Sequence, residues 1–286
     1  MPIDPDIAIG AELPTQEFSW TSSDVQLYHL GIGAGARPLD AKELRYLEDG
    51  KPQVLPTFAT VVANIHATEA PKVSFPGVEI DLAKVVHGSQ EVTVHQPIPS
   101  EGSARTTTRI SEVWDKGKAA VIVQESTTTD LDGNPLWTAR SSIFARGEGG
   151  FGGERGPSES VELPDRAPDF EVEAPILPQQ ALLYRMCGDR NPLHSDPQFA
   201  SAAGFPAPIL HGLCTYGMVC KAAVDAALDA DTSKVKGYKA RFAGVVYPGE
   251  TLKIRIWKEA GQLLISASVL ERSDSPALAD VVLTLA

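Results

Sequence analysis

The stretch GDRNPLHSDPQFASAAGFPAPILHG, residues 188–212, places Asp189, Asn191 and His194 within six positions and closes on His211-Gly212. A carboxylate and an imidazole that hold one water between them can take a proton from it and return a proton elsewhere, which is general acid–base chemistry. Asp and Asn also serve plain turns by bonding their own backbone, so the triplet alone does not separate chemistry from turn-making. Gly212 opens a long apolar run. The first N–H groups of a helix lack intrahelical partners, and the helix dipole there favours negative charge. A backbone donor at a glycine, where a ligand can approach closely, can polarise a carbonyl and stabilise the enolate-like oxygen formed when addition occurs beta to it.

These residues need elements to aim them. LPQQALLYRMC, residues 177–187, has helical periodicity with Pro178 in the first turn and Gly188 as its stop. Asp189 to His194 then forms a compact turn in which Asn191-Pro192 fixes the backbone. Asp196 caps a second helix and Pro197 takes its first position. The turn thus lies between two helices and can direct Asp189, Asn191 and His194 inward together. Downstream, LCTYGMVCKAAVDAAL predicts a helix with Leu213, Tyr216, Cys220, Val224 and Leu228 on one face.

Residues 146–175 hold six glycines between 147 and 156, followed by Ser, Pro and acidic residues, which is linker chemistry. This divides the chain into units 1–145 and 176–286, and the two resemble each other. DVQLYHLGIGAG matches QALLYRMCGDRN with Tyr28 beside Tyr184. DLAKVVHGSQEVTV (81–94) matches RFAGVVYPGETLKI (241–254), and RISEVWDKGK matches KIRIWKEAGQ with Trp114 beside Trp257. LPTFATVVANIHATEA predicts a first-half helix with Phe58, Val62 and Ile65 inward. Strand-like runs follow each helix: EVTVHQPI, RTTTRISEVWD and AAVIVQESTTT, then TLKIRIWKE, LLISASVLER and ALADVVLTLA. The reading is α+β, one long helix on a mostly antiparallel sheet, made twice. The first half has Gly33 in place of Asp189 and Pro38 in place of His194. The turn can therefore be built without the ionisable pair, which favours the chemical reading.

The net charge of -12 argues against nucleic acid or an anionic membrane as partner, so an anionic ligand needs a local basic cluster. The N-terminal MPIDPDIAIGAELPTQEF has no basic region before an apolar one, and no apolar run reaches the ~18 residues of a membrane span. Cys187, Cys214 and Cys220 show no CxxC spacing, which fits a reducing, cytoplasmic setting. GIGAGA at 31–36 lacks the strand-to-helix context of a dinucleotide loop. Asp189, His194 and His211 match no strong metal spacing, and Cys214 within an apolar helix reads as a core thiol. His29, His66 and His95 are expected to be incidental. An open antiparallel sheet leaves edge strands through which a homodimer can form.

YRMCGDRNPLHSDPQFASAAGF followed by PILHGLCTYG resembles the hydratase 2 signature of the MaoC-like (R)-specific enoyl-CoA hydratases, and the likeness extends to VVHGSQEVTVHQPIP and YKARFAGVVYPGETL. The resemblance implies a double hot-dog fold, in which each repeat has a long central helix wrapped by an antiparallel sheet. It implies reversible syn addition of water to a trans-2-enoyl thioester, giving the (R)-3-hydroxyacyl thioester, without metal or redox cofactor. Asp189 and His194 would be the dyad, Asn191 the residue that orients it, and Gly212 N–H the oxyanion donor. Substrate contacts are implied at His87, Gly88, Lys116, Lys239 and Phe242. The run KVKGYKARF brings Lys234, Lys236, Lys239 and Arg241 close in sequence, a candidate cradle for the phosphates of CoA. Acyl carrier protein is the alternative carrier. A non-catalytic acyl-thioester binding subunit or a hot-dog thioesterase is the rival function; the intact Asp189, Asn191 and His194 favour the hydratase, and a binding subunit has no need of the dyad.

Overall fold

The computed structural model describes residues 3–158 and 160–286. Its main sheet is built from β1 (Gln16–Trp20), β2 (Val85–Val94), β3 (Gly102–Asp115), β4 (Ala119–Asp130), β5 (Pro135–Arg146), β6 (Phe170–Pro175), β7 (Val235–Phe242), β8 (Thr251–Glu259), β9 (Gln262–Val269) and β10 (Ser275–Leu285). These ten strands lie in the order β1-β3-β4-β5-β2-β7-β10-β9-β8-β6, with every neighbouring pair antiparallel. Read outward from the β2–β7 seam, the two sides repeat the same order. This is the double hot-dog, and it makes β2 the counterpart of β7. The sequence match of 81–94 with 241–254 was therefore out of place, whereas Trp114 and Trp257 do fall on the counterparts β3 and β8. Tyr28 of α1 (Ser22–Gly31) and Tyr184 of α2 (Gln180–Tyr184) meet with ring centroids 6.3 Å apart.

Two helical expectations need correction. The helix of the second half, α4 (Gly212–Ala227), is present, but Cys214 to Val224 are all buried, so it has no single inward face. A helix that is apolar all round is one enclosed on all sides. The long helix expected in the first half is absent: Pro56–Thr60 and Val62–Asn64 are short 3-10 turns. Thr57, Thr60, Val61 and Val62 are β-branched residues that crowd a helix, and Val61 leaves helical geometry at φ -120°. Phe58, Tyr28 and Tyr46 fill this region and join the core around α4.

Four strands lie outside the runs named from sequence, the first of them β1, QEFSW. PLWTARSSIFAR forms β5, and VKGYKARF forms β7 rather than a loose basic run. FEVEAP, at the end of the expected linker, is β6, the edge strand paired with β8 from Thr251↔Pro175 to Ile256↔Phe170. Its acidic composition concealed a clear alternation, with Phe170, Val172 and Ala174 packed on the core. The first strand of the family-like segment begins at Val85 and ends at Val94, so residues 95–98 are not strand.

A buried ionic group ties the first half to α4. Lys221 Nζ lies 2.8 Å from Glu43 and 2.8 Å from Asp225, and Tyr46 O–H donates to Asp225 at 2.7 Å. Arg37 reaches the same Glu43 at 2.9 Å. Despite burial, the Lys221 and Arg37 charges and the Gly35 N–H hold the Glu43 carboxyl below its ordinary 4.5. Replacing one partner strands a buried charge, so Lys221→Met is expected to lower unfolding stability in urea by roughly 3–5 kcal/mol. A depressed carboxyl stabilises the fold above its unfolded pKa and loses that contribution as pH falls through the folded one. The difference between parent and Lys221→Met should therefore be full at pH 7 and shrink below pH 4.5.

Candidate active site

Gly188 ends the helical stretch before the site in a left-handed conformation, φ +100°. A Cβ there would sit 1.8 Å from the Asn64 carbonyl oxygen, so only glycine lets this chain pass against the first half. Asp189 follows at once. Its Oδ1 accepts the Asn191 N–H at 3.1 Å, and Asn191 Oδ1 accepts the Leu193 N–H at 3.0 Å, capping the short turn Pro192–His194. Asn191 thus shapes the turn that carries the dyad. Asp196 caps α3 (Pro197–Ala202) through the Gln198 and Phe199 N–H groups, and Ala200 packs with Leu193 and Ile209 behind the site.

His194 is 8% exposed, and its Nδ1 lies 2.9 Å from the Ile209 carbonyl oxygen. A carbonyl can only accept, so Nδ1 carries the proton and Nε2 keeps a lone pair. Burial pushes His194 below its ordinary 6.5, and Asp189 and the Ile209 carbonyl offset only part of this. The ring lies stacked on His211, centroids 3.7 Å apart. His211 Nε2 is 3.3 Å from the Asp189 carbonyl oxygen, to which it donates. Burial and the nearby His194 hold His211 far below the usual range, so it is neutral. Directly after it, Gly212 begins α4, and its N–H has no acceptor among the described residues.

Asp189, Asn191, His194 and Gly212 open into one cavity of about 930 Å³ between the two halves, shared with His87, Gly88, Lys116, Arg241 and Phe242. The opening comes from the sheet. β2 and β7 pair from Ser89↔Arg241 to Thr93↔Gly237 and no further. The β2–β5 register shifts between His87 and Ser89, a bulge at Gly88. A Cβ on Gly88 would lie 2.6 Å from Ser142 Oγ. The His87 ring packs on Phe242, centroids 4.8 Å apart, and burial pushes its pKa down to about 4. Phe242 also closes on Gly212, where a Cβ would meet its ring at 3.0 Å.

The basic run is not assembled as its sequence suggested. Lys239 faces a separate cavity of about 470 Å³ with Lys236, Glu91 and Glu162, away from the dyad. The strand conformation of β7 separates residues that are close in sequence. Lys234 pairs with Asp231 at 3.4 Å, and Arg241 with Asp280 at 2.6 Å. Arg146 at the end of β5 lines the main cavity beside Lys116 and Trp114, and none of the sequence patterns pointed to it. From the sequence, His211 is a candidate only as a metal ligand. Asp189, His194 and His211 do present donor atoms within 4.8 Å of one another. Two imidazoles on one ion have centroids roughly 5 Å apart. At 3.7 Å and face to face, these rings do not converge on one centre. Cys187 and Cys214 are buried, and burial pushes the Cys187 thiol up to about 12, so neither is poised as a nucleophile.

The ten-stranded double hot-dog thus places a carboxylate and an imidazole beside a helix N-terminus, at a cavity between duplicated halves. Comparison with known proteins agrees with this fold. The MFE-2 hydratase 2 N-terminal domain matches residues 18–147 and the MaoC like domain residues 159–274. The chain is 62% identical to enoyl-CoA hydratase ChsH3 of Mycobacterium tuberculosis, over 98% of both chains. It is 37% identical to the peroxisomal enoyl-CoA hydratase 2 of Arabidopsis thaliana, covering 94% of this chain and 91% of the relative. The crystal structure of a MaoC-like dehydratase from Phytophthora capsici superposes with a TM-score of 0.83 at 30% identity, over 97% of this chain and 96% of that one. The chain belongs to the MaoC-like hydratase 2 family.

Gly188 offers a direct test of how the site is anchored. Gly188→Ala combines a left-handed non-glycine with a backbone clash and is expected to cost roughly 2–4 kcal/mol in urea unfolding. Gly150→Ala, also at positive φ but 3.6 Å from its nearest neighbour, should cost clearly less.

Proposed function

We propose that the chain is an (R)-specific hydro-lyase that adds water reversibly to a trans-2-enoyl-CoA to give the (R)-3-hydroxyacyl-CoA. The observation that carries the mechanism is the hydrogen bond from His194 Nδ1–H to the Ile209 carbonyl, which leaves Nε2 as a neutral base at the cavity. In this reading water lies between Nε2 and the Asp189 carboxylate. Nε2 takes its proton as the oxygen attacks the β-carbon, and electron density moves through the α-carbon to the thioester oxygen. The Gly212 N–H holds that developing charge. The imidazolium, stabilised by Asp189, then returns a proton to the α-carbon. Because one ring handles both proton transfers, the hydroxyl and the hydrogen arrive on the same face. The balance is one water consumed and one double bond lost, with no metal or redox cofactor taking part.

The same reading gives the remaining residues of the cavity their parts. Lys116 and Arg146 supply positive charge for the CoA phosphates, Arg241 lines the same cavity while paired with Asp280, and His87, Gly88 and Phe242 shape the wall beside the reacting carbons. Acyl carrier protein is the competing carrier, to be compared directly. No helix among the described residues is long and apolar enough to cross a membrane. Three unpaired buried thiols fit a reducing, cytoplasmic setting. A homodimer would form through the edge strands β1 and β6.

Purified protein should hydrate trans-2-enoyl-CoA, followed as loss of the conjugated thioester absorbance, and chiral analysis should find the (R) product. An (S) product, or thioester cleavage in its place, overturns the assignment. Asp189→Asn and His194→Ala are each expected to lower kcat by about 10²–10⁴, and Gly212→Pro, which removes the donor N–H, by about 10²–10³. The acid limb of kcat/KM should lie below pH 6.5, because burial keeps His194 neutral. It should move still lower in any residual activity of Asp189→Asn, since the carboxylate raises the His194 pKa.

A further inference from the structure

His211 touches both members of the proposed dyad. Only 1% exposed, it sits at the N-cap of α4. Its ring stacks on His194 with centroids 3.7 Å apart and planes 27° from parallel, and its Nε2–H donates to the Asp189 carbonyl at 3.3 Å. The next residue in the chain supplies the proposed oxyanion donor. The bond from His194 Nδ1–H to Ile209 fixes one edge of the base but leaves the ring free to tilt about the N–H···O line. A flat ring laid against its face removes that freedom.

We infer that His211 is a positioning residue for the hydration: it sets the plane of His194 so that the Nε2 lone pair faces the cavity, and through the Asp189 carbonyl it holds the carboxylate in register with that ring. The inference rests on Asp189 and His194 being the dyad. No proton passes through His211. Its Nε2–H is committed to a carbonyl, and its Nδ1 is buried without a partner among the described residues. Tyr184 braces it, with ring centroids 4.9 Å apart. The stack and the hydrogen bond are separable constraints, and chemistry that depends on near-attack geometry should feel the loss of either.

Two variants separate them. His211→Phe keeps a ring face and loses the N–H donor, whereas His211→Gln keeps a donor and loses the ring. With a trans-2-enoyl-CoA as substrate, each should lower kcat about 10- to 100-fold. KM should stay within about threefold of the parent, the mark of an interaction that matters in the transition state. A second measurement needs no substrate: nitrogen NMR of the histidine rings should show His194 as one tautomer protonated at Nδ1, and in His211→Gln the His194 ring signals should shift and broaden as the ring plane is freed, with the proton still on Nδ1. Unchanged kcat in both variants overturns the inference. So does a kcat loss that merely follows a fall in melting temperature while the His194 signals stay as in the parent. Full turnover in His194→Ala would instead remove the dyad reading, and the ring spectra would still report whether His211 orients His194.

Discussion

The main core of this molecule is arranged around a helix that has no exposed side. From Cys214 to Val224 every residue of α4 is buried, so apolar surface must meet it in all directions. Five antiparallel strands cannot close around a helix, but the two sets joined at β2–β7 form one ten-stranded sheet. That constraint explains why one helix serves two repeats. Where the first half would place its own, it has short turns, and Phe58, Tyr28 and Tyr46 pack into the shared core. An enclosed helix must also end inside the protein, where unpaired N–H groups are costly unless something accepts from them. α4 ends at the cavity wall, so its first N–H is free to meet a ligand oxygen.

The electrostatics of the site follow from the same enclosure. Burial keeps His87, His194 and His211 neutral, although the first two face the negative charge of Asp189. Three imidazoles around a carboxylate would, in water, compete for protons. Here desolvation outweighs the attraction, so a basic lone pair survives at neutral pH. The tautomer is set by one carbonyl. Ile209 accepts from Nδ1, which leaves the lone pair on Nε2, and the carbonyl of Asp189 plays the matching part for His211.

What could be read in the sequence was whatever local rules control. Gly188 as a stop, Asp196 as a cap and Pro197 at a first helical position are decided by neighbours in the chain, and the structure has all three. The density of Asp189, Asn191 and His194 was legible for the same reason. Features decided by distant packing were not. The Phe58, Val62, Ile65 spacing suits a helix, but α4 already occupies the core. β6 was hidden because an edge strand tolerates the acidic residues that also mark a linker. Lys239 and Arg241 are two residues apart, yet Arg241 lines the main cavity while Lys239 lines the other. The pairing of Arg241 with Asp280 lies across the β7–β10 ladder, and no local pattern reports it.

The two halves have become unequal in a way that makes each indispensable. The second supplies Asp189, His194 and the start of α4. The first supplies the Gly88 bulge that opens the wall, the Asn64 carbonyl against which Gly188 is seated, and the cations Lys116 and Arg146. The cavity of about 930 Å³ is lined from both halves, though not by the turns Pro56–Thr60 and Val62–Asn64 that stand where the first half lacks its helix. Giving up the first helix leaves the short turns Pro56–Thr60 and Val62–Asn64, with Phe58 packed into the core beside Tyr28 and Tyr46. It also leaves the fold dependent on bonds across the seam, which the buried Lys221–Glu43 pair and the β2–β7 ladder provide. Asymmetry between the repeats is thus built into the cavity: Asp189, His194 and Gly212 come from the second half alone, whereas the wall they face is lined by both halves.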